Sequence, residues 1–345
     1  MNIEEMTSKM KKYLRDRATE PELKHKAELA CEILRLKKEK NAVILAHNYM
    51  SPDLYYSVAD YTGDSLELSR KAAGTDCEVI VFCGVEFMAE TAKILSPDKT
   101  VLIPAEKAGC SLAAGITAED VRQLKARHPG VPVVTYINTY AEVKAECDVC
   151  CTSGNAAKVV EALDSDTVIF LPDEYLGRNV ARRSRKQIIF PPRVERSRTE
   201  PPTRDGNMIV WDARCEVHEQ FTPADIARVR ADYPDVVVLA HPECSPEVVD
   251  ASDFAGSTSA MIRYVEETTA SRYLLLTESA MGENVAAAFP DKEILPLCRI
   301  RCPHMALITL ENTRDALKYN RYIVEVPEDI RKRAARAVER MLTIG

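Results

Sequence analysis

Nine short apolar runs, falling in three sets of three along the chain, constrain this sequence more than any other feature. The run Ala42-Val43-Ile44-Leu45-Ala46 has no polar residue at alternate positions. A strand made from it must be buried on both faces, as in a parallel sheet covered by helices. Residues 78–82 and 100–104 complete the first set; 133–138, 167–171 and 208–211 make the second; 236–240, 273–276 and 293–297 make the third. Helical stretches separate them, at 66–73 and 86–95 in the first set, after Thr152-Ser153-Gly154-Asn155 in the second, and after Gly256-Ser257-Thr258-Ser259 in the third. The first set thus reads as βαβαβ and the others repeat it. The expected fold class is α/β, with three similar three-layer α/β/α units on short parallel sheets.

A chain of 345 residues, 46% hydrophobic, can bury two or three such cores. The expected domains are 1–109, including a helical stretch over residues 1–40; 110–214; and 215–302. Residues 303–345 supply a helical or mixed segment and an amphipathic helix at 327–342, expected to pack back on the first domain. Residues 182–207, rich in Arg, Pro and Ser, delay the last strand of the second unit and read as an insertion. The basic stretch 178–198 reads as a solvated loop.

The net charge of -7, with no Lys/Arg run beside exposed aromatics, argues against nucleic acid and an anionic membrane surface as partners. Residues 1–14 lack the apolar core of a signal peptide and no run is long enough to span a bilayer, so a cytoplasmic location is expected. Eleven cysteines in that compartment point away from a disulfide framework. Cys31, Cys77, Cys83 and Cys244 read as small buried hydrophobes.

In open α/β sheets, ligands sit beyond the carboxyl ends of the strands, where helix N-termini also present free N–H groups. The first strand of each set delivers polar groups there: His47 and Tyr49, Tyr136 and Asn138, His241 and Glu243. Each following helix opens with a small hydroxyl residue, Ser65, Ser153 or Thr258. One such hydroxyl is usually an N-cap, and one such histidine a satisfied core residue. Three in register instead imply a common site for carboxylates or a phosphate, with His47, His241 and Glu243 as an acid–base set.

The cysteines leave alternatives. Cys147, Cys150 and Cys151 form a local C-x2-C-C cluster, and Cys298 with Cys302 a C-x3-C pair; both are weak metal signatures. Cys110, Cys215 and Cys302 have no local spacing, yet each follows the last strand of its set. Three thiolates on a four-iron cluster leave one iron without a protein ligand, and an open iron acts as a Lewis acid on a hydroxyl or carbonyl. The competing readings are a structural zinc or cluster protein, a metal-free binder of a phosphorylated metabolite, and a hydro-lyase of another substrate with the same cluster.

The segments Ala46-His47-Asn48-Tyr49, Gly63-Asp64-Ser65-Leu66, Phe87-Met88-Ala89-Glu90-Thr91-Ala92-Lys93, Ala108-Gly109-Cys110-Ser111, Tyr136-Ile137-Asn138-Thr139, Cys151-Thr152-Ser153, Cys215-Glu216-Val217-His218-Glu219, His241-Pro242-Glu243-Cys244, Gly256-Ser257-Thr258-Ser259 and Cys302-Pro303-His304-Met305 occur in an order that resembles the quinolinate synthase family, over roughly residues 40–315. The resemblance implies three α/β/α domains about a pseudo-threefold axis and one [4Fe-4S] cluster on Cys110, Cys215 and Cys302. It implies condensation of iminoaspartate with dihydroxyacetone phosphate to quinolinate for NAD synthesis, with a functional link to the enzyme supplying iminoaspartate. The same resemblance places His47, Ser65, Tyr136, Asn138, Ser153, His218, His241, Glu243, Ser257 and Thr258 around the substrate, with His47, Tyr49 and Glu243 moving protons. The chain departs from the family's pattern at Gly154, at Glu174-Tyr175, where a lysine is more usual, and in the length of the 182–207 loop.

Overall fold

The computed structural model describes residues 2–190, 206–296 and 300–344. Strand β1 (Ala42–His47), buried along its whole length, lies between β2 (Tyr61–Gly63) and β3 (Val79–Cys83), with β4 (Thr100–Leu102) beyond β3. The second sheet contains β5 (Val133–Tyr136), β6 (Val149–Cys151), β7 (Thr167–Leu171), β8 (Gln187–Ile189) and β9 (Asn207–Val210), in the order β6-β5-β7-β9-β8. The third contains β10 (Val237–Ala240), β11 (Phe254–Ala255), β12 (Arg272–Leu276) and β13 (Glu293–Leu295), in the order β11-β10-β12-β13. All ladders are parallel. One strand order recurs in the three sheets, with β8 added outside β9.

The described residues therefore hold thirteen strands where the apolar runs predict nine. The additions β2, β6 and β11 each flank the first strand of their sheet and are two or three residues long, too short to show a period of their own. Their register comes from the neighbour, as where Leu45 pairs with Tyr61 and His47 with Gly63.

The remaining addition, β8, and the helix Glu174–Arg183 correct the expected solvated loop. That helix buries Leu176, Gly177, Val180 and Ala181 on one face and turns its arginines outward, with Asp173 Oδ1 accepting from Leu176 N at 2.9 Å as its cap. The rest of the expected insertion, 191–205, lies outside the described residues, as does Cys298.

The expected N-terminal surface helix is two helices, Ile3–Leu14 and Glu20–Glu39. Thr19 and Glu22 form a capping box that starts the second, with Pro21 in its first turn. The first helix is not a surface element only: Met6, Met10 and Leu14 are buried, and it packs on Glu20–Glu39, on Pro52–Ser57 and on Ser279–Ala288 of the third sheet's layer.

At the other end of the chain, Leu310–Tyr319 lies on Glu20–Glu39 and β3. The last helix, Glu328–Ile344, lies against Glu86–Leu95 of the first layer and, more extensively, against β6 and Ala141–Lys144 of the second. One apolar core consequently runs from the first sheet into the second. The third sheet has a cluster on each face, Val238, Leu274 and Leu276 on one and Leu239, Tyr273 and Leu275 on the other. The period of two with both faces covered explains why no polar alternation is seen in these strands.

Candidate active site

The carboxyl ends of β1, β5 and β10 open onto one pocket, where ligands of parallel α/β sheets sit. Its wall includes His47, Tyr49, Ser65, Tyr136, Asn138, Ser153, His218, His241, Glu243 and Thr258, together with Cys110, Cys215 and Cys302. Of the residues that the resemblance points to, Ser257 alone stands back from the lining: its hydroxyl caps the helix Thr258–Glu267 by accepting from Ala260 N. The pocket wall contains no Lys or Arg among the described residues.

Helix N-termini contribute less to an anion site than the sequence suggests. Ser65 does begin the helix Ser65–Ala73, but its cap is Asp64, whose carboxylate already accepts from Leu66 N and Glu67 N. Ser153 precedes the helix Ala156–Glu161 by most of a turn rather than opening it. A Cβ added at Gly154 would lie 3.5 Å from Ser257, an ordinary contact, so this departure from the family pattern leaves the wall in place. At Glu174 the chain pairs a buried carboxylate with Arg214, at 2.7 Å, next to Cys215.

Glu243 is the electrostatic centre. It is 3% exposed, and its two oxygens accept from Tyr136 Oη at 2.5 Å and from His218 Nδ1 at 2.8 Å. Burial works to raise its pKa, but His218, His241 and the Tyr136 hydroxyl outweigh burial and hold the carboxyl below its ordinary value, hence ionised. The two strand-end histidines behave differently. Burial lowers His47 to about 4 and His241 to about 3, against a smaller upward pull from Glu243, so both rings are neutral near pH 7.

The hydrogen bonds then assign their tautomers. His47 Nδ1 accepts from Tyr49 N at 3.2 Å and His241 Nδ1 accepts from Glu243 N at 3.4 Å. Each ring must therefore carry its hydrogen on Nε2, and that of His241 donates to Ser153 Oγ at 3.2 Å. His218 is opposite, since its Nδ1 faces the acceptor-only carboxylate. Asn138 Oδ1 is buried without a partner among the described residues, an acceptor left for a ligand.

The three pocket cysteines share one local geometry. The carbonyls of Cys110, Cys215 and Cys302 accept from the amides of Ala114, Glu219 and Ala306, each at 3.0 Å, so each cysteine opens a helical turn. The next amides turn toward the sulfur: Leu112 and Ala113, Val217 and His218, His304 and Met305. Burial pushes Cys110 up to about 12, Cys302 to about 11 and Cys215 well above the usual thiol range, despite those amides. A buried thiol that resists ionising, yet is surrounded by donors suited to a thiolate, fits a soft metal group that takes the negative charge.

Cys147, Cys150 and Cys151 do not fit. The last two are fully buried within β6, all three lie away from the pocket, and Cys147 Sγ donates to Val143 O at 3.1 Å. The tightest potential ligand group among the described residues is Cys215, His218 and Glu243, whose ligand atoms lie within 4.8 Å of one another. His218 Nδ1 is already 3.2 Å from Cys215 Sγ and bonded to Glu243, so a lone ion there would have to displace that bond and would leave Cys110 and Cys302 unused.

The sequence reading assigned no role to Asn48 or Thr277. Asn48 Nδ2 donates to Thr258 Oγ1 at 2.9 Å, tying the first strand's exit to the third unit. Thr277, just past β12, contacts Tyr49 and His218. The available signal was placement alone, because each follows a buried strand as His241 does. Among the described residues no helix is long and apolar enough to cross a membrane.

Comparison with known proteins agrees with this geometry. Residues 31–343 match the family model described as quinolinate synthetase A protein. The chain is 54% identical over 312 residues to quinolinate synthase 2 of Mesorhizobium japonicum, covering 90% of each chain. It is 54% identical to the quinolinate synthase of Xylella fastidiosa, over 90% of this chain and 86% of that one. With the quinolinate synthase of Caulobacter vibrioides it shares 48% identity over 99% of its own length and 89% of the relative's. A pocket of this make-up within a match that spans nearly the whole chain places the protein among the enzymes of the quinolinate synthase family.

Proposed function

We propose that this chain condenses iminoaspartate with dihydroxyacetone phosphate to give quinolinate, with loss of phosphate and two waters, in the de novo route to NAD. The observation that carries the reading is the arrival of Cys110, Cys215 and Cys302, each opening the same kind of turn, at the pocket that holds Glu243 with its two donors. In this reading the three thiolates hold one [4Fe-4S] cluster with an open iron, which when bound supplies a Lewis acid for the loss of hydroxyl as water. The three sheets with their helices are then three domains, 1–109, 110–214 and 215–302, about a pseudo-threefold axis, followed by the segment 303–345. The enzyme works in the cytoplasm with small-molecule substrates and is functionally linked to the enzyme that supplies iminoaspartate.

Binding rests on neutral donors, because among the described residues the lining carries no cationic side chain of Lys or Arg. The Nε2–H of His47 faces the ligand, the hydroxyls of Ser65, Ser153 and Thr258 surround it, and His241 fixes Ser153 by donating to it. His218 and Ser257 support this wall, and Asn138 Oδ1 accepts from an imine N–H or a hydroxyl. Proton movement belongs to Tyr49, His47 and the Tyr136–Glu243 pair, in which Tyr136 passes its hydrogen to the carboxylate as it takes one from the ligand.

The test is iron and sulfide content, with quinolinate formation, on anaerobically purified wild type and on Cys110→Ser, Cys215→Ser, Cys302→Ser and Cys147→Ser. About four irons per chain in wild type and Cys147→Ser, lost with activity in the other three variants, is the expected result. Zinc, or a single metal that survives Cys110→Ser but not His218→Ala, overturns the cluster assignment.

A further inference from the structure

Thr277 closes a hydrogen-bond chain along the pocket wall. Its side chain is buried behind the pocket wall, with Oγ1 2.6 Å from Tyr49 Oη and 3.0 Å from His218 Nε2. The chain runs from Tyr49 through Thr277 and His218 to Glu243, where Tyr136 joins from the other side.

A carboxylate only accepts, so His218 Nδ1, 2.8 Å from Glu243 Oε2, carries a hydrogen. Two hydroxyls reach Nε2 on the other side of the ring, Thr277 at 3.0 Å and Tyr49 at 3.4 Å, and the shorter contact is the better bond. At 2.6 Å the Thr277 hydroxyl also holds the Tyr49 phenol, so one side chain ties Tyr49 to the His218–Glu243 pair whichever way its hydrogen points.

We propose that Thr277 is a positioning residue for Tyr49, fixing its phenol oxygen at the pocket wall where it meets a polar group of the bound reactant. This deepens the quinolinate-forming reading of the pocket and rests on it. Thr277 touches no ligand itself and acts through Tyr49. Without it, Tyr49 keeps only the longer 3.4 Å contact to His218, and its phenol is no longer held in place.

The experiment is steady-state quinolinate formation by wild type, Thr277→Val, Thr277→Ser, Tyr49→Phe and the Tyr49→Phe/Thr277→Val double variant, each with iron content and melting temperature. Thr277→Val should lower kcat about 10- to 100-fold, the scale of a misplaced catalytic group, while KM moves less than about threefold and iron content stays at the wild-type level. Thr277→Ser should recover most of the loss, since it keeps the hydroxyl. In the Tyr49→Phe background, Thr277→Val should add less than about twofold, because the two residues act as one unit.

Wild-type kcat in Thr277→Val, equal losses in the Val and Ser variants, or losses that multiply in the double variant each overturn the proposal. Wild type that makes no quinolinate overturns the reading of the pocket beneath it, a result distinct from loss confined to the variants.

Discussion

Replacing Glu243 by Gln removes the buried carboxylate at the centre of the pocket while nearly preserving its shape. The carboxylate is 3% exposed and accepts two hydrogen bonds, at 2.5 and 2.8 Å. A bond to a charged acceptor contributes about 1.5–3 kcal/mol, and breaking a buried charged pair costs about 3–5 kcal/mol. The amide oxygen keeps one donor, Tyr136 or His218, and its NH2 confronts the other. Against this, the variant avoids the several kcal/mol needed to desolvate a buried carboxylate. The net destabilisation near pH 7 is therefore about 1–2 kcal/mol, far smaller than the gross loss.

The pH dependence carries the sign. Glu243 is held below its ordinary 4.5 in the folded protein, so its contribution is complete above about 4.5 and is lost as pH falls through the lowered folded value. Urea titrations of wild type and E243Q should show a steady gap from about pH 8 to 5, narrowing below about 4.5. Activity should fall about 100-fold or more, the scale of acid–base groups. A gap that widens on acidification, or turnover at the wild-type rate, refutes the assignment of Glu243 as the ionised partner of Tyr136 and His218.

Three further outcomes follow from other sites. Burial raises Glu278 to about 7 against the opposing Ala280 N, Arg301 and Cys302 N, so the folded state penalises its charge and wild-type stability falls as pH rises from about 4.5 through 7; Glu278→Gln should lose that dependence, with the difference between the two proteins in urea growing by about 2–3 kcal/mol from pH 5 to 8. Asn284 Nδ2 donates to Asn48 O at 3.2 Å and Met50 O at 2.8 Å, so Asn284→Ala should cost about 2–4 kcal/mol in chemical unfolding by stranding two carbonyls and lower kcat through Tyr49 between them. At Gly177 a Cβ would come within 2.8 Å of Val210 and 3.1 Å of Phe170, so Gly177→Ala should destabilise the second sheet by about 1–3 kcal/mol in the same measurement.

The sequence by itself determined the elements that bury surface. Continuous apolar runs forced β1, β5, β7, β10 and β12 into doubly covered parallel sheets, because such strands have no face to give to water. The same runs placed His47, Tyr136 and His241 at equivalent strand ends, and position along a repeat separated Cys110, Cys215 and Cys302 from the other cysteines. What does not bury a patterned surface was not legible. Edge strands such as β2 and β11 exist because a neighbour's backbone needs a partner, and the helix Glu174–Arg183 was hidden by the arginines on its outer face. The N-termini expected to receive an anion are partly filled by Asp64 and Ser257, a choice made by side-chain rotamers.

Only the tertiary structure decided the chemistry of the site. Whether a histidine accepts or donates depends on which group faces its Nδ1, an amide for His47 and His241 and a carboxylate for His218. Those partners lie two positions from His47 and His241 along the chain, but Glu243, 25 positions after His218, reaches it only through the tertiary fold. The same fold brings Thr277 to Tyr49 across a separation of 228 residues. Hydrogen-bond direction and burial are properties of the assembled pocket, and no local pattern of residues encodes them.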